Sequence, residues 1–227
     1  VSGGDGFYNV IDPTNPDIIY TESQGGNVSR YDARTGESAR IRPVARPTED
    51  DEDREYRYNW NAPIVVSAHD PATVYIGANH LMRSRDRGYS WEEASPDLTK
   101  EIDRDTLLIM GSEVTEETLS RNDGIRHYGT ITAIGESGRS ADVLFVGTDD
   151  GNVQRTTDGG ATWTDLTGRF PGLPERTYVS GIEPSTVEGR VYASFDGHRG
   201  DDYAPYVYVS PDNGDSWIRI TGGLPEW

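Results

Sequence analysis

Chemically, the richest stretch of the chain is Phe195-Asp196-Gly197-His198-Arg199-Gly200-Asp201-Asp202-Tyr203. Its carboxylates at Asp196, Asp201 and Asp202 suit Ca²⁺, and the His198 imidazole adds a nitrogen ligand for a divalent transition metal. The spacing matches no established metal loop, and carboxylates paired with Arg199 make a salt-bridged structural loop from the same residues. A second chemistry is glycoside hydrolysis, which sets two carboxylates roughly 5 to 9.5 Å apart across the scissile bond. Among the 39 Asp and Glu residues, the loop carboxylates Asp149, Asp150, Asp201 and Asp202 are the candidates for such a pair. Other chemistries lack their parts. Zero cysteines exclude thiol nucleophiles, thiolate metal sites and disulfides. Lys100 is the only lysine and follows no Gly-rich loop, so a phosphate-cradling nucleotide site is excluded. No Gly-x-Ser-x-Gly elbow occurs. His69, His80 and His127 adjoin turns and strands, where hydrogen-bonding roles are expected.

Three other aspartates have a structural reading, because they recur in one pattern. Ser84 to Trp91, Thr156 to Trp163 and Ser210 to Trp217 all fit [ST]-x-D-x-G-x-[ST]-W. At a tight turn between strands, Asp86, Asp158 and Asp212 accept backbone N–H bonds, while Gly88, Gly160 and Gly214 supply a left-handed backbone. Trp91, Trp163 and Trp217 are expected to start the next strand and pack their rings into the core. One turn used three times cannot be one active site.

The elements that carry these turns repeat as well. Ile64-Val65-Val66, Thr73-Val74-Tyr75-Ile76-Gly77 and His80-Leu81-Met82-Arg83 lead into the first turn; Thr130 to Ile134, Val143 to Gly147 and Asn152 to Arg155 lead into the second. Tyr178 to Ile182, Arg190 to Ser194 and Tyr206 to Val209 lead into the third. A degenerate copy opens the chain: Asn15-Pro16-Asp17 stands where His69-Asp70-Pro71 does, and the turn Asp32 to Gly36 lacks the Trp. The pattern predicts four-stranded antiparallel units stacked face to face, an all-β propeller region over 1–227 with about four blades. The repeats run over 7–42, 58–98, 127–168 and 177–221, with insertions at 43–57 and 99–126. Leu107-Leu108-Ile109-Met110 is expected to pack on the propeller, and Thr115 to Leu119 to form a short helical turn. The run Glu49-Asp50-Asp51-Glu52-Asp53-Arg54-Glu55 reads as a solvated loop.

Composition agrees with short strands and many turns: 26 Gly, 13 Pro, 13 Tyr and 5 Trp, with 33% hydrophobic residues. A net charge of −18 excludes general binding to nucleic acid or anionic lipid. No apolar run approaches the ~20 residues of a membrane span. The chain starts at Val1, which suggests a processed or excised segment.

The segments Tyr58-Asn59-Trp60-Asn61-Ala62-Pro63-Ile64, Ser95-Pro96-Asp97-Leu98-Thr99, Tyr128-Gly129-Thr130-Ile131 and Phe195-Asp196-Gly197-His198-Arg199, with the three turns, resemble the Asp-box (BNR) repeat propellers. That group includes sialidases, xyloglucan-degrading propellers and sortilin-type receptors, and the likeness is nearest to bacterial sortilin-type proteins often labelled glycosyl hydrolases. It implies a propeller of more than four blades, so this chain is expected to be an arc of a larger ring or a small ring closed by its termini. Arg40-Ile41-Arg42-Pro43 departs from the sialidase arginine signature, so sialidase activity is not expected. The expected function is a non-catalytic binding or scaffold module in an exported bacterial assembly, completed by a protein partner. The alternatives are a glycoside hydrolase, whose partner is carbohydrate, and a peptide-binding receptor propeller.

Overall fold

A computed structural model of the chain describes residues 3–49, 52, 54–108, 112–119 and 127–225. It consists of four antiparallel sheets, each made from four consecutive strands. The first contains β1 (Gly6–Ile11), β2 (Ile18–Ser23), β3 (Asn27–Asp32) and β4 (Ser38–Arg40). The second contains β5 (Ile64–Val66), β6 (Val74–Gly77), β7 (Leu81–Ser84) and β8 (Glu92–Glu93). The third contains β9 (Ile131–Glu136), β10 (Leu144–Thr148), β11 (Val153–Thr156) and β12 (Thr164–Asp165). The fourth contains β13 (Tyr178–Pro184), β14 (Val191–Asp196), β15 (Tyr206–Ser210) and β16 (Ile218–Arg219). These sheets are propeller blades, and the first and last strands belong to different blades.

The period-two alternation of a strand explains how the blades stack, because residues on the second strand of each inner blade serve two cores at once. On β6, Val74 and Ile76 join Tyr20, Val28, Tyr58 and Ile64 between the first and second blades. Tyr75 points the other way, into a core with Leu81, Ile131, Leu144 and Val146 between the second and third. On β10, Phe145 does the same for the third and fourth blades, packing with Val153, Val179, Ile182, Tyr208 and Trp217. Close approach at the inner end needs glycine. A Cβ on Gly77 would lie 2.7 Å from Ile131 Cγ2, and one on Gly147 would collide with Val179.

The three repeated turns share one hydrogen-bond pattern. Ser84 Oγ donates to Asp86 Oδ1 at 2.8 Å and accepts from Gly88 N at 2.7 Å, while Asp86 accepts from Ser90 N at 2.8 Å and Ser90 Oγ at 2.6 Å. Thr156, Asp158, Gly160 and Thr162 repeat this set, as do Ser210, Asp212, Gly214 and Ser216. These bonds hold Asp86 and Asp158 down at about 2. In the first blade, Asp32 Oδ1 instead accepts from Arg34 N and Thr35 N.

Several expectations are corrected in detail. Trp217 is 4% exposed and its ring centre lies 4.5 Å from that of Phe170, while Trp91 and Trp163 pack against the cores between the blades as expected but stay partly exposed at their edges. Trp163 stands beside the neighbouring blade and donates Nε1–H to Ala94 O at 3.3 Å, so its place is a seam and not a core centre. The opening turn aligns one residue further along than the motif suggests. Ile18 N bonds Asn15 O as Thr73 N bonds Asp70 O, which sets Pro16 against Pro71. Thr115 to Leu119 makes a turn, closed by Thr118 N to Thr115 O at 3.1 Å, and no helix. Of the four apolar insertion residues, Leu108 is exposed and Leu107 half-buried, while Ile109 and Met110 lie outside the described residues, as do Asp50, Asp51 and Asp53.

Candidate functional site

The hairpin turns 12–17, 67–72, 137–142 and 185–190 and the repeated Asp turns lie at one end of the blades. The opposite face carries the β2–β3, β6–β7, β10–β11 and β14–β15 loops and all the connections between blades, including both long insertions. Loops on a rigid scaffold are where repeat folds place binding chemistry.

On that face a cleft of about 510 Å³ opens between the third and fourth blades. Tyr128, Asp149, Arg176, Tyr178, Arg199 and Asp202 line it, and Leu107 of the second insertion closes one side. Tyr178 is the first residue of β13, and the Arg199 guanidinium carbon sits 4.4 Å from its ring centroid. Asp149 follows β10 directly and is 9% exposed. It accepts from Thr130 N and Thr130 Oγ1, each at 2.7 Å, and from Asn59 Nδ2 at 3.4 Å. Burial pushes its carboxyl up to about 6; the neighbouring Asp150 charge adds to this, while the Thr130 hydrogen bonds oppose it.

The carboxyls across the cleft are displaced the other way. Asp202 accepts from Tyr206 OH at 2.6 Å and Ala204 N at 3.0 Å, and these bonds hold it below the usual carboxylate range. For Asp196, burial pushes upward, but the His198 hydrogen bonds and the charges of His198 and Arg199 outweigh it and lower the carboxyl. His198 Nδ1 lies 2.6 Å from both Asp196 oxygens, and Arg199 Nη1 is 3.9 Å from Oδ2. The structure therefore brings Asp149, Asp196, Arg199 and Asp202 to one cleft. Asp201, in a left-handed conformation with φ 60°, and exposed Tyr203 are outside its lining. Among the described residues, no three His, Asp or Glu side chains converge to hold a metal ion.

Asp150 does not present its carboxylate to the cleft. It is fully buried, accepting from Thr148 Oγ1 and from Lys100 N at 2.7 Å, and so ties the second insertion to the β10–β11 loop. Arg57 ties the connections together from below, donating to Asp97 Oδ2 at 2.7 Å and Gly129 O at 3.1 Å, while Asn79 donates to the same Asp97 oxygen. Tyr128 stands in a segment that carries the resemblance and Tyr178 opens a repeat strand, but nothing in the sequence sets either of them, or Arg176, at a site, because aromatic and basic residues beside strands are common. Tyr128 and Arg176 come just before β9 and β13, and Tyr178 starts β13, all at the loop face, which is the available clue. Glu22 was also missed. It is 1% exposed, with Oε1 accepting from Gly26 N at 3.0 Å, and burial pushes it up to about 7 against the backbone bonds of Gly26 and Ala62.

No family model matches the chain. A xyloglucanase of a Paenibacillus species is 27% identical over 218 residues, covering 84% of this chain and 19% of that protein. The xyloglucanase Xgh74A of Acetivibrio thermocellus is 27% identical over 100% of this chain and 26% of its own length. The chain thus spans about a fifth to a quarter of the curated relatives it matches. Among solved structures, the GH74 xyloglucanase of Xanthomonas campestris is similar at a TM-score of 0.60 and 20% identity, over 100% of this chain and 32% of that one. The Dos1 propeller is similar at a TM-score of 0.60 and 14% identity, over 99% and 51%. These likenesses show the propeller fold.

Proposed function

We propose that this chain is part of a carbohydrate-active propeller that holds a polysaccharide in the cleft between its third and fourth blades and supplies acid–base carboxyls to it. The observation that carries this reading is one cleft lined by three carboxyls, Asp149, Asp196 and Asp202, together with Tyr128, Tyr178, Arg176 and Arg199. Asp149 is held up at about 6, so it can carry a proton near neutrality, while Asp196 and Asp202 stay ionised. Such a division is how two carboxyls of one kind take acid and base roles. Tyr128 and Tyr178 offer ring edges and faces to the C–H surfaces of a sugar, and Arg176 and Arg199 donate to its hydroxyls. The similarity to xyloglucanases favours a β-linked plant glucan as ligand and favours export, and the likeness of the turns to Asp-box repeats supports the same propeller group. Among the described residues, no helix is long and apolar enough to cross a membrane.

The test is reducing-sugar release from xyloglucan by the full protein, alongside gel retardation in the same polymer. Asp149→Asn is expected to abolish release while leaving retardation, and Tyr178→Ala to weaken retardation. Absence of both release and retardation in the unaltered protein would sink the reading.

One observation favours a second reading, an interaction module completed by further propeller sheets or a partner. The outer side of the fourth blade carries Tyr192, Val207, Val209 and Ile218; Tyr192 and Ile218 are exposed, and among the described residues Tyr8 of the first blade faces Tyr192 and Val207 across an open cavity. A protein copurifying with the native product and crosslinking to Tyr192→Cys would establish it.

A further inference from the structure

A cleft of about 650 Å³ lies between the first and second blades, where the segment that follows β4 passes the edge strand β8. Arg42, Arg46 and Arg54 line it together with Tyr56, Met82 and Trp91. None of its lining residues belongs to the cleft between the third and fourth blades.

In a chain of net charge −18, three guanidiniums meet here around a single carboxylate, Glu93, which is already occupied. Arg54 Nη2 donates to Glu93 Oε1 at 2.8 Å, and Tyr56 OH donates to the same oxygen. Arg42 and Arg46 are exposed, and neither pairs with a carboxylate among the described residues. The Tyr58 ring, centred 4.5 Å from the Arg42 guanidinium carbon, holds that cation at the wall. The cleft is a positive island on a negative molecule.

Its remaining surface has the make-up of a protein contact. Tyr89 is 78% exposed and Val44 79% exposed, both in the lining, and the Arg30 guanidinium carbon sits 3.9 Å from the Tyr89 ring centroid. Tyr, Trp, Met and Arg are the residues that protein interfaces enrich, and Trp, Tyr and Arg carry most of their energy. Trp91 adds a polar signal. Its buried Nε1–H finds no acceptor among the described residues, whereas Trp163 donates to Ala94 O and Trp217 to Gly214 O. Buried donors are nearly always paired, and an oxygen of a bound partner would supply the one missing here.

We propose that this cleft docks an acidic segment of a partner protein, with Arg42 and Arg46 forking onto its carboxylates and its apolar side chains covering Tyr89 and Val44. Guanidinium and carboxylate match in bidentate geometry, and the pairs strengthen as the covered rings exclude water. The rest of the molecule repels an acidic ligand, so the island fixes where the segment lands. Glycan binding at the larger cleft neither requires nor prevents this contact.

The probe is a synthetic fluorescein-labelled peptide of alternating Glu and Tyr, titrated with the full chain and followed by fluorescence anisotropy. Binding is expected at low salt and should weaken steeply towards about 0.5 M salt. Arg46→Glu is expected to weaken it roughly tenfold or more, and Arg42→Ala acts in the same direction. Arg34→Glu makes the same change in net charge at an exposed position between β3 and β4, and should leave binding unchanged. An unaltered urea midpoint for all three variants separates lost binding from lost fold. If Arg34→Glu weakens the peptide as much as Arg46→Glu does, the attraction is general and the proposal is overturned. It is overturned equally if the unaltered protein does not bind the peptide, or if polygalacturonate displaces it at equal carboxylate concentration, which would make the cleft a site for anionic polymers at large.

Discussion

Arg87 Nε donates to Asp12 Oδ2 at 2.9 Å, joining the Asp turn of the second blade to the first hairpin of the first. Arg87 reaches it from a left-handed backbone with φ 60°, and its own carbonyl accepts from Arg30 Nη1 at 2.7 Å. Asp12 is 1% exposed and also accepts from Thr14 N and Thr14 Oγ1. One residue thus closes a turn and locks a seam between blades.

Replacing Asp12 by Ala is expected to destabilise the protein by about 2–3 kcal/mol, since it strips a buried acceptor from several donors at once. Urea unfolding at pH 7 measures it. Burial pushes the Asp12 carboxyl up, but the bonds from Thr14 and Arg87 outweigh it and hold the group low. A lowered carboxyl stabilises above its ordinary value, and that stability is lost as pH falls through the lowered one. The difference between the proteins should therefore shrink below about pH 4.

Glu22 carries the opposite sign. Its carboxyl sits at about 7, so ionisation of the folded protein is opposed, and stability falls as pH rises from about 4.5 to about 7. Glu22→Gln cannot ionise. Its unfolding free energy should fall less across that window, by about 2–3 kcal/mol, in thermal or urea melts run at pH 4.5 and 8. Identical slopes for the two proteins would refute the displaced carboxyl.

The repeated tryptophans should not be equal. Trp217→Ala opens a hole in a core shared with Phe170 and Tyr208 and should cost about 3–5 kcal/mol. Trp163→Ala removes a partly exposed seam contact and should cost about 1–2 kcal/mol less. Equal midpoints in guanidinium would contradict this difference in burial.

For the proposed hydrolysis, Asp149 must be protonated to donate to a leaving oxygen. With the carboxyl at about 6, release of reducing sugar should decline above that pH, and Asp149→Asn should remove the decline together with the activity. A rate constant that stays flat from pH 5 to 8 would assign the proton to another group.

The blades were legible in the sequence because their signals are local. Asp86, Gly88 and Ser90 lie within one turn, and the continuous apolar run Val74, Tyr75 and Ile76 marks a strand buried on both sides. Burial of Trp163 was not legible, because it depends on how the carbonyl of Ala94 in another blade meets the ring. The site was half legible. Asp196, Arg199 and Asp202 share one loop and could be picked out together. Asp149 could be named but not told apart from Asp150, since the two neighbours differ only in what the fold sets around them: Lys100 N and Thr148 Oγ1 for one, Thr130 and the cleft for the other. Gly77 and Gly147 read as ordinary strand ends, and only the packing of the next blade on them explains why they carry no side chain.

Each sheet is drawn from four strands in unbroken chain order. Pairing within a blade therefore closes only short loops, and each blade can zip up as soon as its own segment has left the ribosome. The seams come later, because Asp12 must wait for Arg87 and Gly147 for Val179. Assembly should run from the first blade towards the fourth, with each finished blade acting as the template on which its successor condenses. A pause in synthesis after about residue 98 would then leave the second blade with an uncovered outward face, the one on which Tyr75 and Leu81 later pack with Ile131 and Leu144 of the third.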